Sequence, residues 1–496
     1  MKILAGDLIN RRDFLTFAGM NITGTFLLGC HRDDSLRASS WSKINERPNF
    51  IIILCDNLGY GDLGCFGSTI HRTPYVDKMA KEGMLLTSFY ASSGVCTPSR
   101  ASLMTGCYAQ RVDMHISDKN GRVLRPVSAK GLNTNEVTLA EILQKQSYAT
   151  ACIGKWHLGD QPEFLPRNHG FDYFYGIPYS EDMTPSHPAT ARSAVTSTPA
   201  WPPLPLIRNE EVVEAPVDLT GTTRRYLKEA MRFISENCDR PFFLYFAHHL
   251  PGSKRVPEVD PQFSGRSANG RYGDSIEEID FSVGQIIDAL RKLDLDERTL
   301  IIFTSDNGTP RGHGGSNAPL AGWGYSTMEG GMRVPCIVRW PGMVPAGTTC
   351  NELCTTMDLL PTFARLAGTK PPKDRIIDGK NIWHLLIGKP GAESPYEVFY
   401  YYMVDQLQAV RLGKWKLHLP PKRLKGKRAS ISTKLVDLSR DIGETTDLSQ
   451  QHPEVVEKLL AWAEKAREDL GDLGRKGRGQ RPADFVQHPT PRLLKK

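Results

Sequence analysis

The chain has 496 residues, of which 40% are hydrophobic and 24% charged, and its formal net charge is +7. This composition is typical of a soluble globular protein and excludes a disordered, collagenous or polytopic membrane chain. Seven Lys and Arg residues against one Asp lie between Arg475 and Lys496, so this tail carries most of the net charge. A basic tail is more often a solvated end than a nucleic-acid arm, and no nucleic-acid partner is predicted.

The N-terminus is predicted to be an export signal. A twin-arginine run at residues 11–15 precedes an apolar stretch that is too short and too polar to span a bilayer. The stretch ends in Leu-Leu-Gly-Cys, which resembles the lipobox of bacterial lipoproteins, so residues 1–30 are predicted to be a signal with a lipid anchor at Cys30. A generic secretory signal with an incidental Cys is the alternative. Both predict an exported bacterial protein, either periplasmic or anchored at the cell envelope.

After a polar linker at 31–47, a large α/β domain is predicted at 48–384. Its strands are predicted from continuous apolar runs at 50–54, 149–153, 242–246 and 300–304, a pattern typical of strands buried on both faces of a mostly parallel sheet. Helical segments are predicted between them at 137–145, 224–237 and 275–293. This alternation predicts an α/β sandwich.

The remaining segments are predicted to be peripheral. Residues 183–216 are rich in Pro, Ser and Thr and are predicted to form a long surface excursion. Residues 385–470 are predicted to form a small C-terminal α+β domain, with antiparallel strands at 398–403 and 410–419 and a closing helix at 453–470. The basic tail at 471–496 is predicted to be disordered.

Polar residues follow several of the predicted strands. In open α/β sheets, ligands bind beyond the carboxyl ends of the strands. The pairs Asp56-Asn57 and Asp306-Asn307 offer the oxygen ligands that Ca²⁺ or Mg²⁺ prefers, although each pair alone is also typical of a turn. After the strand at 149–153, Lys155 and His157 would share one face in extended structure, which suits anion binding and proton transfer.

The segment Cys96-Thr97-Pro98-Ser99-Arg100 is predicted to begin a helix. Thr97 can cap the helix and Pro98 fits its first turn, so Cys96 would lie at a helix N-terminus, where free N–H groups favour an anion. The spacing from Cys96 to Arg100, Cys-x3-Arg, differs from the Cys-x5-Arg spacing of tyrosine phosphatases, which argues against that family.

With Thr105-Gly106 following, this segment resembles the signature of the type I sulfatases, in which the Cys is oxidised to formylglycine. Further motifs support the resemblance from about residue 48 to 470, and the run through Ser180 is most similar to the arylsulfatase A branch. These motifs are at 56–62, 154–159, 170–172, 176–180, 305–308, 329–335 and 357–362. The resemblance implies an alkaline-phosphatase-like sandwich with a large mixed, mostly parallel sheet.

The resemblance also implies a role for each matching residue. Cys96 would become formylglycine through a maturation enzyme, and its hydrate would attack the sulfur of a sulfated small molecule or glycan. Arg100 would steady the hydrate, Lys155 and Ser180 would contact hydrate or sulfate oxygens, and His157 would take the proton that releases sulfate. One Ca²⁺ would be held by the hydrate oxygen at Cys96 and by four side chains: Asp56, Asn57, Asp306 and Asn307.

Three positions depart from the family pattern. Asn57 replaces a second Asp, which keeps an oxygen ligand but removes a charge. Gly252 stands where the family usually has a His that protonates the leaving group, and Gly324 where it has a sulfate-binding Lys. Nearby candidates to replace them are His248, His249 and Lys254. The alternatives to an active sulfatase are therefore an impaired relative that binds sulfated glycans, and a phosphoester or phosphonate hydrolase on the same scaffold.

Overall fold

The computed structural model of the protein describes residues 47–186, 201–420 and 433–495. The described residues belong to one compact unit, Glu46–Lys496. The predicted signal with Cys30, and the predicted linker up to residue 46, lie outside the described residues. Within the described residues, no helix combines the length and the apolar composition needed to cross a bilayer.

A ten-stranded mixed sheet forms the centre of the unit, in the order β12-β2-β11-β10-β1-β9-β5-β6-β7-β8. Its central strands, from β10 to β6, are parallel to one another, whereas β11 and β7 run antiparallel to their neighbours. The strands of the chain are β1 (Asn49–Asp56), β2 (Met84–Leu86), β3 (Phe89–Tyr90), β4 (Lys130–Gly131), β5 (Ala149–Gly154), β6 (Tyr173–Gly176), β7 (Leu206–Arg208), β8 (Glu211–Glu214), β9 (Phe242–Pro251), β10 (Thr299–Ser305), β11 (Cys336–Arg339), β12 (Thr348–Cys350), β13 (Cys354–Thr355), β14 (Val398–Met403), β15 (Gln406–Leu412), β16 (Trp415–His418), β17 (Lys434–Asp437) and β18 (Asp484–Phe485).

Helices cover both faces of this sheet. The α-helices among the described residues are α1 (Pro74–Lys81), α2 (Cys96–Thr105), α3 (Leu139–Gln144), α4 (Thr222–Glu236), α5 (Gly270–Lys292), α6 (Glu329–Met332), α7 (Leu359–Leu366), α8 (Trp383–Leu386) and α9 (Pro453–Leu470). Strand β1 shows why both faces are apolar: Phe50 and Ile52 pack into one core, and Ile51 and Ile53 into the other. Because successive side chains alternate between faces, a strand buried on both faces must be continuously apolar.

The predicted strands and helices agree with this sheet. The four apolar runs are β1, β5, β9 and β10, and the three predicted helices are α3, α4 and α5, with ends shifted by a few residues. The predicted excursion at 183–216 is partly wrong, because its end forms the edge hairpin β7-β8. Residues 187–200 of it lie outside the described residues.

A four-stranded antiparallel sheet, β14-β15-β16-β17, follows in the C-terminal part, with α9 packed against it. The single strand predicted at 410–419 is wrong, because Gly413, with φ +54°, turns the chain between β15 and β16. The buried ammonium of Lys416 in this sheet lies 3.0 Å from a Glu329 carboxylate oxygen and 2.8 Å from one of Glu444. These ion pairs tie the sheet to α6 of the larger core.

The basic tail, predicted to be disordered, has ordered contacts with the rest of the unit in residues 471–495. Asp484–Phe485 pairs with Lys130–Gly131 as the two-stranded sheet β18-β4. The Arg481 guanidinium forms an ion pair with the buried carboxylate of Glu136. Charge alone therefore misled the prediction for residues 471–495, because several of the basic side chains have acidic partners on the body.

Candidate active site

The carboxyl ends of the central parallel strands bring most of the predicted residues together. Asp56 is the last residue of β1, Asp306 and Asn307 follow β10, and Lys155 follows β5. Since β10, β1, β9 and β5 are neighbours and parallel, these side chains meet at one edge of the sheet. All of them are buried.

Cys96 is the first residue of α2, and its side chain is buried at this edge. The helix begins after Val95, so the predicted cap at Thr97 is wrong. Thr97 Oγ1 instead accepts the backbone N–H of Leu124 at 3.2 Å. Pro98 lies in the first turn, as predicted. The position of Cys96 places free N–H groups of the helix beside the site.

Arg100 lies one turn further along α2 and holds the two strand-end carboxylates. Its guanidinium is fully buried and lies 2.8 Å from an Asp306 oxygen and 3.2 Å from an Asp56 oxygen. It also donates to the backbone carbonyl of Lys155 at 2.7 Å. One buried cation therefore fixes the ends of β1, β10 and β5 relative to α2.

Lys155 provides the second buried cation. Its ammonium lies 2.8 Å from Asp56 Oδ2, 2.9 Å from Ser180 Oγ and 3.7 Å from Cys96 Sγ. These contacts bring three of the predicted catalytic residues within reach of one another. Burial raises the pKa of the Cys96 thiol, and Asp56 raises it further. The unmodified side chain is therefore a neutral thiol at pH 7.

The donor set fits a divalent metal. Ligand atoms of Asp56, Cys96 and Asp306 all lie within 4.8 Å of one another. Burial and the neighbouring Asp56 raise the pKa of Asp306, whereas Lys155 and Arg100 hold the pKa of Asp56 below its usual range despite burial. Two carboxyl groups as close as those of Asp56 and Asp306 repel each other when both are ionised, and a cation between them would relieve this repulsion.

The two asparagines lie side by side at the same place. Asn307 Nδ2 donates to Asn57 Oδ1, and the backbone of Asn57 is left-handed, with φ +62°. Asn307 Oδ1 is buried and has no hydrogen-bond partner among the described residues. A buried unpaired oxygen is costly, and a metal ion beside Asp306 would satisfy it.

His157 presents a free lone pair on one ring nitrogen. Its Nε2 lies 3.0 Å from the carbonyl oxygen of Leu124, which can only accept, so Nε2 carries the hydrogen and Nδ1 a lone pair. Nδ1 is buried and has no partner among the described residues. Burial, reinforced by Lys155, lowers the pKa of His157 to about 3, so the ring is neutral at pH 7.

Neither glycine that departs from the family pattern leaves room for a side chain. Gly252 has φ +86°, and a Cβ there would lie 2.5 Å from Glu181 Oε1. At Gly324, a Cβ would lie 2.1 Å from the carbonyl oxygen of Gly308. The local backbone is therefore built around glycine at both positions.

The three residues predicted as replacements do not fill the gap. His248 bonds Ser282 of α5 at 3.0 Å, and the Lys254 ammonium pairs with Glu258 at 2.8 Å. The His249 ring packs edge-on against Tyr226, and burial lowers its pKa to about 3. With so low a pKa, the His249 ring is neutral at pH 7 and therefore carries no acidic proton to donate.

Sequence reasoning missed three polar residues beside the site. The carboxylate of Glu181 accepts from the Ser180 hydroxyl at 3.0 Å and from the backbone N–H of Ser253. The Tyr325 hydroxyl lies 3.4 Å from Asn57 Nδ2 and 3.5 Å from Ser253 Oγ. Glu181, Ser253 and Tyr325 directly follow three residues predicted to matter, namely Ser180, Gly252 and Gly324. This adjacency was the only sign in the sequence that they lie near the site.

The arrangement combines a thiol at a helix N-terminus, two buried cations, clustered oxygen ligands and a neutral imidazole. Together these define a hydrolase for a small anionic ester: the cations attract the anion, the metal-ligand set adds positive charge, and the imidazole moves a proton.

Comparison with known proteins identifies the ester. The family model for sulfatases matches residues 48–369, and that for the C-terminal part of N-sulphoglucosamine sulphohydrolase matches residues 325–468. The chain is 39% identical to N-acetylgalactosamine-6-sulfatase of Canis lupus familiaris, over 75% of this chain and 72% of the relative. It is also 39% identical to human arylsulfatase A, over 79% and 78%.

A solved structure shares the fold. The crystal structure of Ps i-CgsB in complex with k-i-k-neocarrahexaose superposes with a TM-score of 0.72 at 30% identity, covering 85% of this chain and 92% of that one. The chain belongs to the sulfatase family. It is a sulfatase, an enzyme that hydrolyses sulfate esters, and the predicted alkaline-phosphatase-like fold and type I sulfatase family are confirmed.

Proposed function

We propose that the enzyme removes sulfate from a sulfated carbohydrate, with formylglycine made from Cys96 as nucleophile and one Ca²⁺ in the site. The observation that carries the proposal is the contact of Cys96 with Lys155, 3.7 Å apart, inside the cluster of Arg100, Asp56 and Asp306. The family generally uses formylglycine and a divalent metal, and the position of Cys96 in the site supports the first of these.

Each side chain contributes to one step of the reaction. Lys155 and Ser180 bind oxygens of the sulfate, because the Lys155 ammonium lies 3.7 Å from Cys96 Sγ and 2.9 Å from Ser180 Oγ. Arg100 fixes Asp56 and Asp306. His157 takes a proton at Nδ1 when sulfate is released, and its Nε2–H bond to Leu124 holds the ring in place.

The metal would be held by Asp56, Asn57, Asp306 and Asn307 together with position 96. When bound, Ca²⁺ would supply positive charge to the sulfate oxygens. Calcium suits the site because all four side chains offer oxygen and two are amides, and Ca²⁺ accepts amide oxygens readily.

Mass spectrometry of the Cys96 peptide checks the nucleophile. In protein made with a formylglycine-forming enzyme in the host, we expect the peptide to carry an aldehyde at position 96. The peptides of Cys55 and Cys152, which are equally buried, serve as controls and should keep their thiols. Active protein with only a thiol at Cys96 would contradict the formylglycine mechanism.

A sulfated carbohydrate is proposed as substrate because two similar proteins carry that chemistry in their names. One is an N-acetylgalactosamine-6-sulfatase and the other was crystallised with a neocarrahexaose. Sulfate release from a panel of sulfated mono- and oligosaccharides tests this. Turnover of aryl sulfates alone would contradict it.

The enzyme is further proposed to be exported and lipid-anchored through Cys30. We expect the full chain, expressed in a bacterium with twin-arginine export, to fractionate with membranes. The Cys30→Ser variant should lose this association while keeping its specific activity, because Cys30 is not among the residues proposed to act in catalysis or metal binding. Equal membrane association of both proteins would exclude the lipid anchor.

A further inference from the structure

The residues that the sequence offered as proton donors for the leaving alcohol are not suited to that role in the structure. Gly252 has no side chain, and His248, His249 and Lys254 are bonded elsewhere or are neutral rings of low pKa. A sugar hydroxyl is a poor leaving group and needs a proton as the S–O bond breaks. Some other group near Gly252 must hold that proton.

Glu181 occupies the space beside Gly252. The Cβ atom of a side chain at position 252 would lie 2.5 Å from Glu181 Oε1, so such a side chain and the Glu181 carboxyl group would overlap. Glu181 Oε1 is fixed by the backbone N–H groups of Ser253 and Lys254. The side chain is 4% exposed, so bulk water does not occupy the space instead.

The other carboxyl oxygen is connected to the sulfate site. Glu181 Oε2 lies 3.0 Å from Ser180 Oγ, which in turn lies 2.9 Å from the Lys155 ammonium. Because a Lys ammonium can only donate, Ser180 Oγ accepts from Lys155. When Glu181 is ionised, the Ser180 hydroxyl donates to Glu181 Oε2; when Glu181 is protonated, its carboxyl O–H donates to Ser180 Oγ instead, and the Ser180 hydrogen is available to a further acceptor. That arrangement makes the Ser180 hydroxyl a link between Glu181 and the sulfate site.

We infer that Glu181 holds the proton for the leaving alcohol and passes it through the Ser180 hydroxyl. This inference rests on the proposed function and names Glu181 as a positioning residue of the same site. As the hydrate oxygen at position 96 bonds to the sulfur, the S–O bond to the alcohol breaks and its electron pair stays on the leaving oxygen. That oxygen takes the hydroxyl proton of Ser180, while the carboxyl proton of Glu181 moves to Ser180 Oγ. The products are a free alcohol and a Glu181 carboxylate, which water reprotonates before the next turnover.

The charges around Glu181 suit this role. Burial raises its pKa to about 7; Asp56 and Asp182 raise the pKa and Lys155 lowers it. Tyr226 of α4 is a further titratable group that faces it. A carboxyl group with a pKa near the working pH can both hold and release a proton.

The test compares substituted phenyl sulfates from 4-nitrophenyl to 4-methoxyphenyl sulfate, in wild type and in Glu181→Gln. The amide can keep most of the hydrogen bonds but carries no acidic proton. We expect kcat/KM for 4-methoxyphenyl sulfate to fall about 100-fold and that for 4-nitrophenyl sulfate to change little, since a good leaving group needs no proton. The decline of kcat/KM above about pH 7 should also disappear in Glu181→Gln for the poorer substrate.

Two further variants separate chemistry from folding. Glu181→Asp keeps a carboxyl group and should keep a dependence on the leaving group closer to that of wild type than Glu181→Gln does. Glu278→Gln is the matched control, because Glu278 is also a buried carboxyl group whose pKa burial raises to about 7, yet it bonds the backbone of Asp260. Glu278→Gln should leave the dependence of kcat/KM on the leaving group unchanged.

An equal loss across the series in Glu181→Gln, or no loss at all, would overturn the inference and leave the proposed function standing. A wild-type protein with formylglycine at position 96 that releases no sulfate from any substrate would overturn both.

Discussion

Replacing Arg100 by Met should lower the free energy of unfolding by about 3 to 5 kcal/mol in protein stripped of metal by a chelator. The guanidinium is fully buried and pairs with both Asp56 and Asp306, so its removal leaves the buried Asp306 carboxylate without its ion-pair partner and Asp56 with Lys155 alone. Urea denaturation followed by circular dichroism measures the change. Saturating Ca²⁺ should reduce the loss, because the cation would take over part of the charge balance.

The control is Arg72→Met. Arg72 also binds a carboxylate with two hydrogen bonds, to Glu277 at 2.8 and 2.9 Å, but its side chain is 66% exposed. Because a solvated ion pair contributes little to stability, the loss in Arg72→Met should be much smaller than that in Arg100→Met. Similar losses in the two variants would show that burial of the Arg100 pairs does not matter.

The second large effect is expected for Asp306→Ala. Ca²⁺ at 100 times its dissociation constant should raise the stability of the wild-type protein by about 2.7 kcal/mol, because it binds the folded state alone. The variant should show no such gain, since Asp306 and its neighbour Asp56 supply the charged ligands. Sulfate release should fall by at least about 1,000-fold, as a bound metal contributes several kcal/mol to such a transition state.

Metal content by atomic emission and thermal unfolding with and without Ca²⁺ check this prediction. Asp280→Asn is a suitable control: Asp280 is buried as well, but it accepts the backbone N–H of Val76 at the start of α1. Unchanged metal content in Asp306→Ala would place the metal elsewhere.

The central sheet could be predicted from the sequence because its strands are buried on both faces. The runs at 50–54 and 300–304 are continuously apolar, which few other structures require. The edge hairpin β7-β8 was missed because its strands are short and contain charged residues, such as Glu211 and Glu214 at the two ends of β8. The turn at Gly413 was missed because apolar and basic residues alternate on both sides of it, as they would in one continuous strand.

The strand-end residues of the site could be predicted for the same reason, since parallel strands bring their carboxyl ends together. Asp56, Asp306 and Lys155 do meet, and Cys96 lies against them. Glu181 could not be predicted, because its importance depends on the path of the backbone at Gly252. That path, with its positive φ, is set by tertiary contacts that no local pattern records.

The position of β1 in the sheet also sets the time available for the proposed modification of Cys96. Phe50 pairs with Phe243 on one side and with Leu300 on the other, so the sheet cannot close until both distant strands have been synthesised. At about 5 to 20 residues per second, the ribosome needs roughly 10 to 40 seconds to go from Cys96 to the end of β10. The closed fold leaves only 3% of Cys96 exposed. A modifying enzyme must therefore act within this interval, and faster translation or a slower enzyme would yield folded chains that still carry the thiol.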